Sequence, residues 1–150
     1  VGLAPAPPDE PIETLYPGIA EGLIIGGNLS VLAATLGSPY EVDTKEKILF
    51  IEDVDERPYR LDRNLTALAL AGKFDDCAGI ILGTFADCEE TELEEDETLT
   101  LTQIFNQVIK PLGKPTIYNF RAGHIYPQIS IPMGARTRLD ANNGTVEFLT

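Results

Sequence analysis

The most constraining feature of the sequence is an apolar segment that ends abruptly in two acids. Residues 48–51 read Ile-Leu-Phe-Ile, and Glu52 and Asp53 follow at once. Apolar strands without alternation are typical of parallel sheets that are covered on both faces. Ligands of such sheets bind beyond the carboxyl ends of the strands. The segment therefore predicts a buried strand with Glu52 at a candidate site. The alternative is that the two acids simply mark where the strand reaches water.

The rest of the chain alternates predicted strands and helices before it ends in short alternating segments. Hydrophobic periodicity and turn residues give three further strands and three helices. The strands are predicted at 18–25, 78–85 and 115–120, and the helices at 29–36, 58–71 and 99–112. Three alternating segments follow, QISIPM, RTRLD and TVEFL, and Asn143-Gly144 is a hairpin signal between the last two. We predict an α/β fold: a mixed, mostly parallel sheet with flanking helices and a C-terminal antiparallel β portion, as in swivelling β/β/α domains.

The N-terminal segment differs in composition from the remainder. Residues 1–17 contain five of the eleven prolines, which favours extended polyproline conformations and predicts a linker. Residues 18–150 are predicted to form one domain. The chain begins at Val1 rather than Met and shows no signal peptide. We therefore expect that residues precede it in the full protein.

The net charge of −13 argues against nucleic acid and anionic membrane surfaces as partners, because both require a basic face. No apolar run approaches the length of a membrane span. Eight acids and no base lie between Asp87 and Glu97, and such a run is typical of a solvated loop. A cation site there is the alternative, but the loop lacks the glycine of a calcium-binding EF-hand. We expect no metal and no cofactor.

His124 is the single histidine of the chain, so any imidazole chemistry within it depends on this residue. It follows Gly123 in a loop that leaves a predicted strand. A carboxylate that accepts the Nδ1 proton of an imidazole fixes its tautomer and stabilises the imidazolium formed during proton transfer. Glu52 and His124 are therefore candidates for a catalytic pair. The alternative is a surface or structural histidine.

The sequence provides no evident nucleophile for this pair. The three serines, Ser30, Ser38 and Ser130, all lie outside a GxSxG nucleophile elbow. Cys77 and Cys88 match neither a CxxC spacing nor a disulfide framework. We interpret both as free thiols, which is compatible with a reducing compartment. If the pair is catalytic, its nucleophile comes from elsewhere.

A glycine pair precedes the first predicted helix. Gly26 and Gly27 lead to Asn28, whose side chain can cap the helix. Glycines ahead of a helix N-terminus let backbone approach a ligand, and the free amides favour an anion. Because this segment lacks the full phosphate-loop or dinucleotide-binding pattern, an ordinary strand-to-helix turn is the alternative.

Five segments in this order resemble the C-terminal domain of the LD-carboxypeptidase family, the S66 serine peptidases. This family includes muramoyltetrapeptide carboxypeptidase and the microcin C self-immunity peptidases. The resemblance runs from about residue 22 to about residue 139. Its motifs are GGNLSVL at 26–32, ILFIEDVDERPYRLDR at 48–63, GIILGTF at 79–85, AGH at 122–124 and IPMG at 131–134.

The resemblance implies a serine carboxypeptidase with a Ser-Glu-His triad. Glu52 and His124 match the family's glutamate and histidine motifs, and Asn28 with Gly27 matches a segment that lines its substrate cleft. The nucleophilic serine would lie in an N-terminal domain outside this sequence, so the chain alone is expected to be inactive. The implied reaction hydrolyses an L-to-D peptide bond and releases D-alanine from a murein tetrapeptide in the cytoplasm during wall recycling.

Three other functions are left open by the sequence. The domain could be a non-catalytic peptide-binding or swivelling module, or a peptidase for microcin-C-like peptidyl nucleotides. A metal-dependent hydrolase that uses the acidic loop is the third. The expected partners are a murein peptide or a related small peptide and the N-terminal domain of the same protein. A homodimer is also left open.

Overall fold

The computed structural model describes residues 4–5, 10–94 and 97–149, with side chains from residue 10 onward. Strands and helices alternate through most of this part of the chain. The elements are β1 (Ala4–Pro5), β2 (Glu13–Tyr16), β3 (Ile19–Asn28), α1 (Leu29–Ala34), β4 (Ile48–Val54), α2 (Pro58–Leu70), β5 (Gly79–Ala86), α3 (Leu101–Val108), a 3-10 helix (Lys110–Leu112), β6 (Thr116–Tyr118), β7 (Ile125–Tyr126), β8 (Arg136–Asp140) and β9 (Thr145–Leu149).

Seven strands form one mixed sheet in the order β2-β6-β5-β4-β3-β8-β9. Strands β3 to β6 run parallel to one another. The strands at its two edges, β2 on one side and β8 and β9 on the other, pair antiparallel. A separate parallel pairing joins β1 to β7. The predicted α/β fold with a C-terminal antiparallel portion is confirmed.

Strand β4 lies near the middle of the sheet and is covered on both faces, as its composition predicts. All residues from Ile48 to Asp53 are buried. Leu49 and Ile51 pack into the core beneath the helices. Ile48 and Phe50 pack into a second core on the opposite face. Because side chains alternate along a strand, Glu52 points to the face of Phe50 and Asp53 to the helical face.

Each of the three α-helices begins with a recognisable start signal, and the Asn28 cap is the one that the sequence analysis predicted. The Oδ1 atom of Asn28 accepts from the backbone amide of Val31 at 3.1 Å. Pro58 occupies the first turn of α2, where its missing N–H has no cost. Thr100 caps α3, and the Gln103 side chain returns a hydrogen bond to the Thr100 amide, which completes a capping box.

Three segments differ from the sequence prediction. Residues 26–28, predicted as part of a strand-to-helix turn, complete β3. Residues 128–133, predicted as an alternating strand, have no regular strand structure, because Pro127 and Pro132 each remove a backbone donor that a ladder needs. Residues Glu13–Tyr16, which sequence analysis assigned to the linker, pair with β6 at the edge of the sheet. The division between linker and domain at residue 17 stays a prediction.

Within the part of the chain that the structure describes, no helix is long and apolar enough to cross a lipid bilayer.

Candidate active site

The parallel strands bring the candidate residues to one rim of the sheet. Asn28 ends β3 and lies directly opposite Glu52 of β4 in the strand register. The segment after β6 carries His124 back to the same rim. The carboxyl ends of parallel strands are where loops can vary on a rigid scaffold. Sequence reasoning predicted this shared rim, and the structure brings the side chains together there.

Glu52 and His124 are in direct contact although 72 positions separate them. The Oε2 atom of Glu52 lies 2.7 Å from Nδ1 of His124. The Glu52 side chain is 7% exposed, whereas that of His124 is 38% exposed. An ionised carboxylate only accepts, so Nδ1 donates to Glu52, and in the neutral imidazole Nε2 keeps its lone pair. Among the described residues no hydrogen bond involves Nε2, and this atom is available to a proton donor.

An irregularity in β5 makes this contact possible. The pairing of β4 with β5 shifts register between Ile51 and Asp53, directly beside Glu52. The segment after β6 runs alongside β5 at this point: the Phe120 amide donates to Leu82 at 3.1 Å, and the Thr84 amide donates to Ala122 at 2.9 Å. Bulges near active sites redirect side chains in this way. The histidine loop is thus attached to the strand that neighbours Glu52.

Two glycines give the histidine loop its close approach. A Cβ atom on Gly83 would lie 2.5 Å from the Ala122 carbonyl oxygen. A Cβ atom on Gly123 would lie 2.5 Å from Oγ1 of Thr84 and 3.1 Å from Cβ of Glu52, and its φ of +135° is itself unfavourable for other residues. Sequence analysis did not identify Gly83 or Thr84. A glycine inside a strand pattern is a signal for such a bulge.

The Gly27–Asn28 segment forms the neighbouring wall of the rim. Gly27 has a φ of +149°, and the space where its Cβ would lie is open. The Nδ2 atom of Asn28 donates to Oδ1 of Asp53 at 2.9 Å. Oδ2 of Asp53 accepts from the Ser30 hydroxyl at 2.7 Å and from the Ser30 amide. Asp53 therefore holds the start of α1, a function that sequence analysis did not foresee.

Neither cysteine has the properties of a reactive thiol. Both Cys77 and Cys88 are buried and free. Burial raises the pKa of Cys77 to about 11 and that of Cys88 to about 12, so both thiols are neutral near pH 7. A nucleophilic cysteine requires a lowered pKa. The burial and the raised pKa values agree with the interpretation of both residues as free thiols without assigned chemistry.

The acidic loop is described except for residues 95–96. Arg57 pairs with Glu90 of this loop. Within the described residues, no group of three or more histidine, cysteine, aspartate or glutamate side chains is arranged to hold a metal ion. The cation site that sequence analysis left open falls partly on residues outside the described part.

The fold and the rim define a class of protein: an α/β domain with a mixed sheet and a glutamate-histidine pair at the carboxyl ends of its parallel strands. The sequence-family model of the LD-carboxypeptidase C-terminal domain matches residues 21–139 of this chain. The chain therefore belongs to the LD-carboxypeptidase family, as the sequence motifs indicated, and corresponds to its C-terminal domain.

Individual relatives agree with this membership. The chain is 42% identical over 135 residues to the "Probable murein peptide carboxypeptidase" of Bacillus subtilis (strain 168), covering 90% of this chain and 42% of that protein. The crystal structure of muramoyltetrapeptide carboxypeptidase from Oxalobacter formigenes superimposes with a TM-score of 0.76 at 27% identity, covering 91% of this chain and 48% of that one. MccF in complex with glutamyl sulfamoyl guanosine gives 0.75 at 27% identity, covering 93% and 41%. The chain thus spans less than half the length of these relatives.

Proposed function

We propose that this chain supplies the glutamate and histidine of a Ser-Glu-His triad in a serine carboxypeptidase that releases D-alanine from a murein tetrapeptide. The observation that carries the proposal is the 2.7 Å contact between Oε2 of Glu52 and Nδ1 of His124. A buried carboxylate behind a partly exposed imidazole is the arrangement that activates a hydroxyl nucleophile.

In this mechanism Nε2 of His124 takes the proton of a serine hydroxyl as its oxygen attacks the carbonyl carbon of the L-to-D peptide bond. Glu52 holds the imidazole in the required tautomer and stabilises the imidazolium. The imidazolium then protonates the leaving D-alanine amine as the C–N bond breaks. Water hydrolyses the acyl-enzyme by the same proton transfers in reverse order.

The serine belongs to residues outside this chain in our proposal. The hydroxyl of Ser30 already donates to Asp53 at 2.7 Å, and Ser38 donates to the Thr35 carbonyl at 2.7 Å. Because the chain spans 42% of the length of its Bacillus subtilis relative, a second domain can carry the nucleophile. We further propose that Gly27 and Asn28 contact the substrate peptide, since they border the same rim.

The test is D-alanine release from murein tetrapeptide by the full-length protein and its variants. We expect Glu52→Ala and His124→Ala each to lower kcat by at least about 10³-fold, because His124 transfers the proton and Glu52 orients and stabilises the imidazole that does so. Glu41→Gln is the matched control, since this partly exposed glutamate pairs with Lys73 away from the rim. Undiminished turnover in either rim variant refutes the assignment.

A second substrate class has a specific observation in its favour. The MccF structure that this chain resembles holds glutamyl sulfamoyl guanosine, an aminoacyl group joined to a nucleoside. The same glutamate-histidine pair could serve cleavage of such a compound. Comparing kcat/KM for murein tetrapeptide and for an aminoacyl sulfamoyl nucleoside decides between the two. We expect the tetrapeptide to be preferred, and the opposite preference would move the substrate to the nucleotide class.

A further inference from the structure

Asp53 is a buried carboxylate on the face of β4 opposite to Glu52. It is 2% exposed, and the described residues place no lysine, arginine or histidine within ion-pair distance of it. Burial of an unpaired carboxylate is costly unless hydrogen bonds compensate the lost hydration. The surroundings of Asp53 must therefore supply that compensation.

Four donors converge on this carboxylate. Oδ1 accepts from Nδ2 of Asn28 and from the Val54 amide, both at 2.9 Å. Oδ2 accepts from the amide of Ser30 at 3.0 Å and from its hydroxyl at 2.7 Å. Three of these donors belong to the junction of β3 with α1. The charge is thus held by the segment that borders the candidate active site.

The consequence for Asn28 is a fixed side-chain amide. Its Oδ1 accepts from the Val31 amide at 3.1 Å, and one Nδ2 proton is donated to Asp53. In the flipped orientation the Asn28 NH₂ group would face the Val31 N–H, a donor against a donor. The Asn28 oxygen would face the Asp53 carboxylate, an acceptor against an acceptor. The second Nδ2 proton has no acceptor among the described residues. Asn28 lies opposite Glu52 in the sheet register, at the same rim.

We propose that Asp53 is a positioning residue, which orients the Asn28 amide so that its remaining N–H donates to a substrate oxygen. The acceptor class is a peptide carbonyl or the terminal carboxylate of the substrate. This inference rests on the proposed function, in which Asn28 contacts the substrate. It assigns to Asp53 an effect on substrate binding and no part in proton transfer.

The experiment is a double-mutant cycle in the full-length protein with murein tetrapeptide as substrate. Asp53→Asn preserves volume but presents an NH₂ group to one pair of donors, and Asn28→Ala removes the amide. We expect each variant to raise KM about tenfold, the effect of one lost hydrogen bond to a charged or strongly polar group, with kcat within about twofold. The double variant should also be about tenfold weaker, because Asp53 acts through Asn28.

Asp140→Asn is the matched control. Asp140 is also buried and accepts from Asn143 at the end of β8. In the strand register it lies opposite Ile19, at the other end of β3 from Asn28. Thermal unfolding of every variant separates loss of stability from loss of binding. We expect Asp140→Asn to lower Tm and leave KM unchanged.

Several outcomes overturn the proposal. These are an unchanged KM for Asp53→Asn or for Asn28→Ala, an Asp53→Asn effect that Asp140→Asn reproduces, or effects that multiply to about a hundredfold in the double variant. A readout independent of turnover is the dissociation constant of murein tetrapeptide for full-length protein carrying His124→Ala, measured by calorimetry with and without Asp53→Asn. We expect Asp53→Asn to raise this dissociation constant about tenfold.

The two proposals can be refuted separately. Retained turnover in His124→Ala would refute the proposed function alone, whereas an unchanged dissociation constant would refute the positioning role of Asp53 alone.

Discussion

At the scale of single residues, the contact between Glu52 and His124 depends on the absence of side chains next to it. Gly123 lies between Thr84 and Glu52 without room for a Cβ atom. The adjacent carboxylate and imidazole could be proposed from residue types alone. The glycine that lets them meet could not, because close approach is a property of distant segments rather than of local sequence.

We predict that Gly123→Ala separates the pair. The added methyl group would lie 2.5 Å from Oγ1 of Thr84 and 3.0 Å from Oε2 of Glu52, so the histidine loop must move. We expect D-alanine release by the full-length protein to fall at least about a hundredfold, since misplacement by about 1 Å has effects of that size. Gly37→Ala is the control, because Gly37 also has a positive φ but its Cβ position is open. Equal activity of the two variants would contradict the steric argument.

The two cysteines allow a prediction about pH. Burial raises the pKa of the Cys77 thiol to about 11 and that of the Cys88 thiol to about 12, above the value of about 8.5 in an unfolded chain. A group whose pKa is raised by folding stabilises the folded state below its unfolded pKa, and this contribution is lost as the pH rises toward the folded value. Because both thiols are buried and protonated in the folded protein, we expect them to resist alkylation by iodoacetamide at about pH 8. After unfolding in urea we expect both to react. Rapid labelling of the folded protein would show that a thiol is accessible and ionised.

At the scale of secondary structure, caps and turn residues determine where most elements begin. Asn28 caps the first helix and α2 begins at residue 58, both as expected from sequence, and Asn143-Gly144 lies in the turn between β8 and β9. These signals are local, so a single sequence contains them. The edge pairing of Glu13–Tyr16 with β6 has no comparable local signal, because it depends on a partner about one hundred residues away.

Helix α3 provides a test at this scale. The Thr100 hydroxyl accepts from the Gln103 amide at 3.2 Å, and the Gln103 side chain accepts from the Thr100 amide at 2.8 Å. We expect Thr100→Ala to lower the free energy of unfolding by about 1 kcal/mol, measured by urea denaturation. The control is Thr102→Ala, an exposed position in the first turn of the same helix, with an expected change within about 0.5 kcal/mol. A loss of equal size in both variants would exclude the capping box as the cause.

At the scale of the whole molecule, the described chain brings together the glutamate and the histidine of the proposed triad. The parallel order of β3, β4, β5 and β6 brings their carboxyl ends to one rim. The helices cover one face of this sheet, and the segment that carries His124 crosses the other. The contact between Glu52 and His124 is therefore formed by the described chain itself.

We predict that the 150-residue chain alone releases no D-alanine from murein tetrapeptide above the rate without protein. Its glutamate and histidine have no hydroxyl nucleophile at the rim in our proposal, so proton transfer has no donor. The full-length protein at the same concentration is the positive control, and circular dichroism verifies that the chain is folded. Turnover by the purified chain would place the nucleophile within these residues and refute the division of the triad.

The buried strand that carries Glu52, the Asn28 cap and the last hairpin could be predicted from sequence alone, because they follow from hydrophobic pattern and local turn chemistry. The sequence also placed the chain in its family through an ordered set of motifs. Three contacts depend on the folded chain: the Ala122 carbonyl accepts from Thr84 of β5, Asp53 accepts from Asn28, and Glu52 contacts His124 at 2.7 Å. These contacts join residues far apart in the chain, and their geometry is set by sheet register and by the space between side chains, neither of which is encoded in any short stretch of sequence.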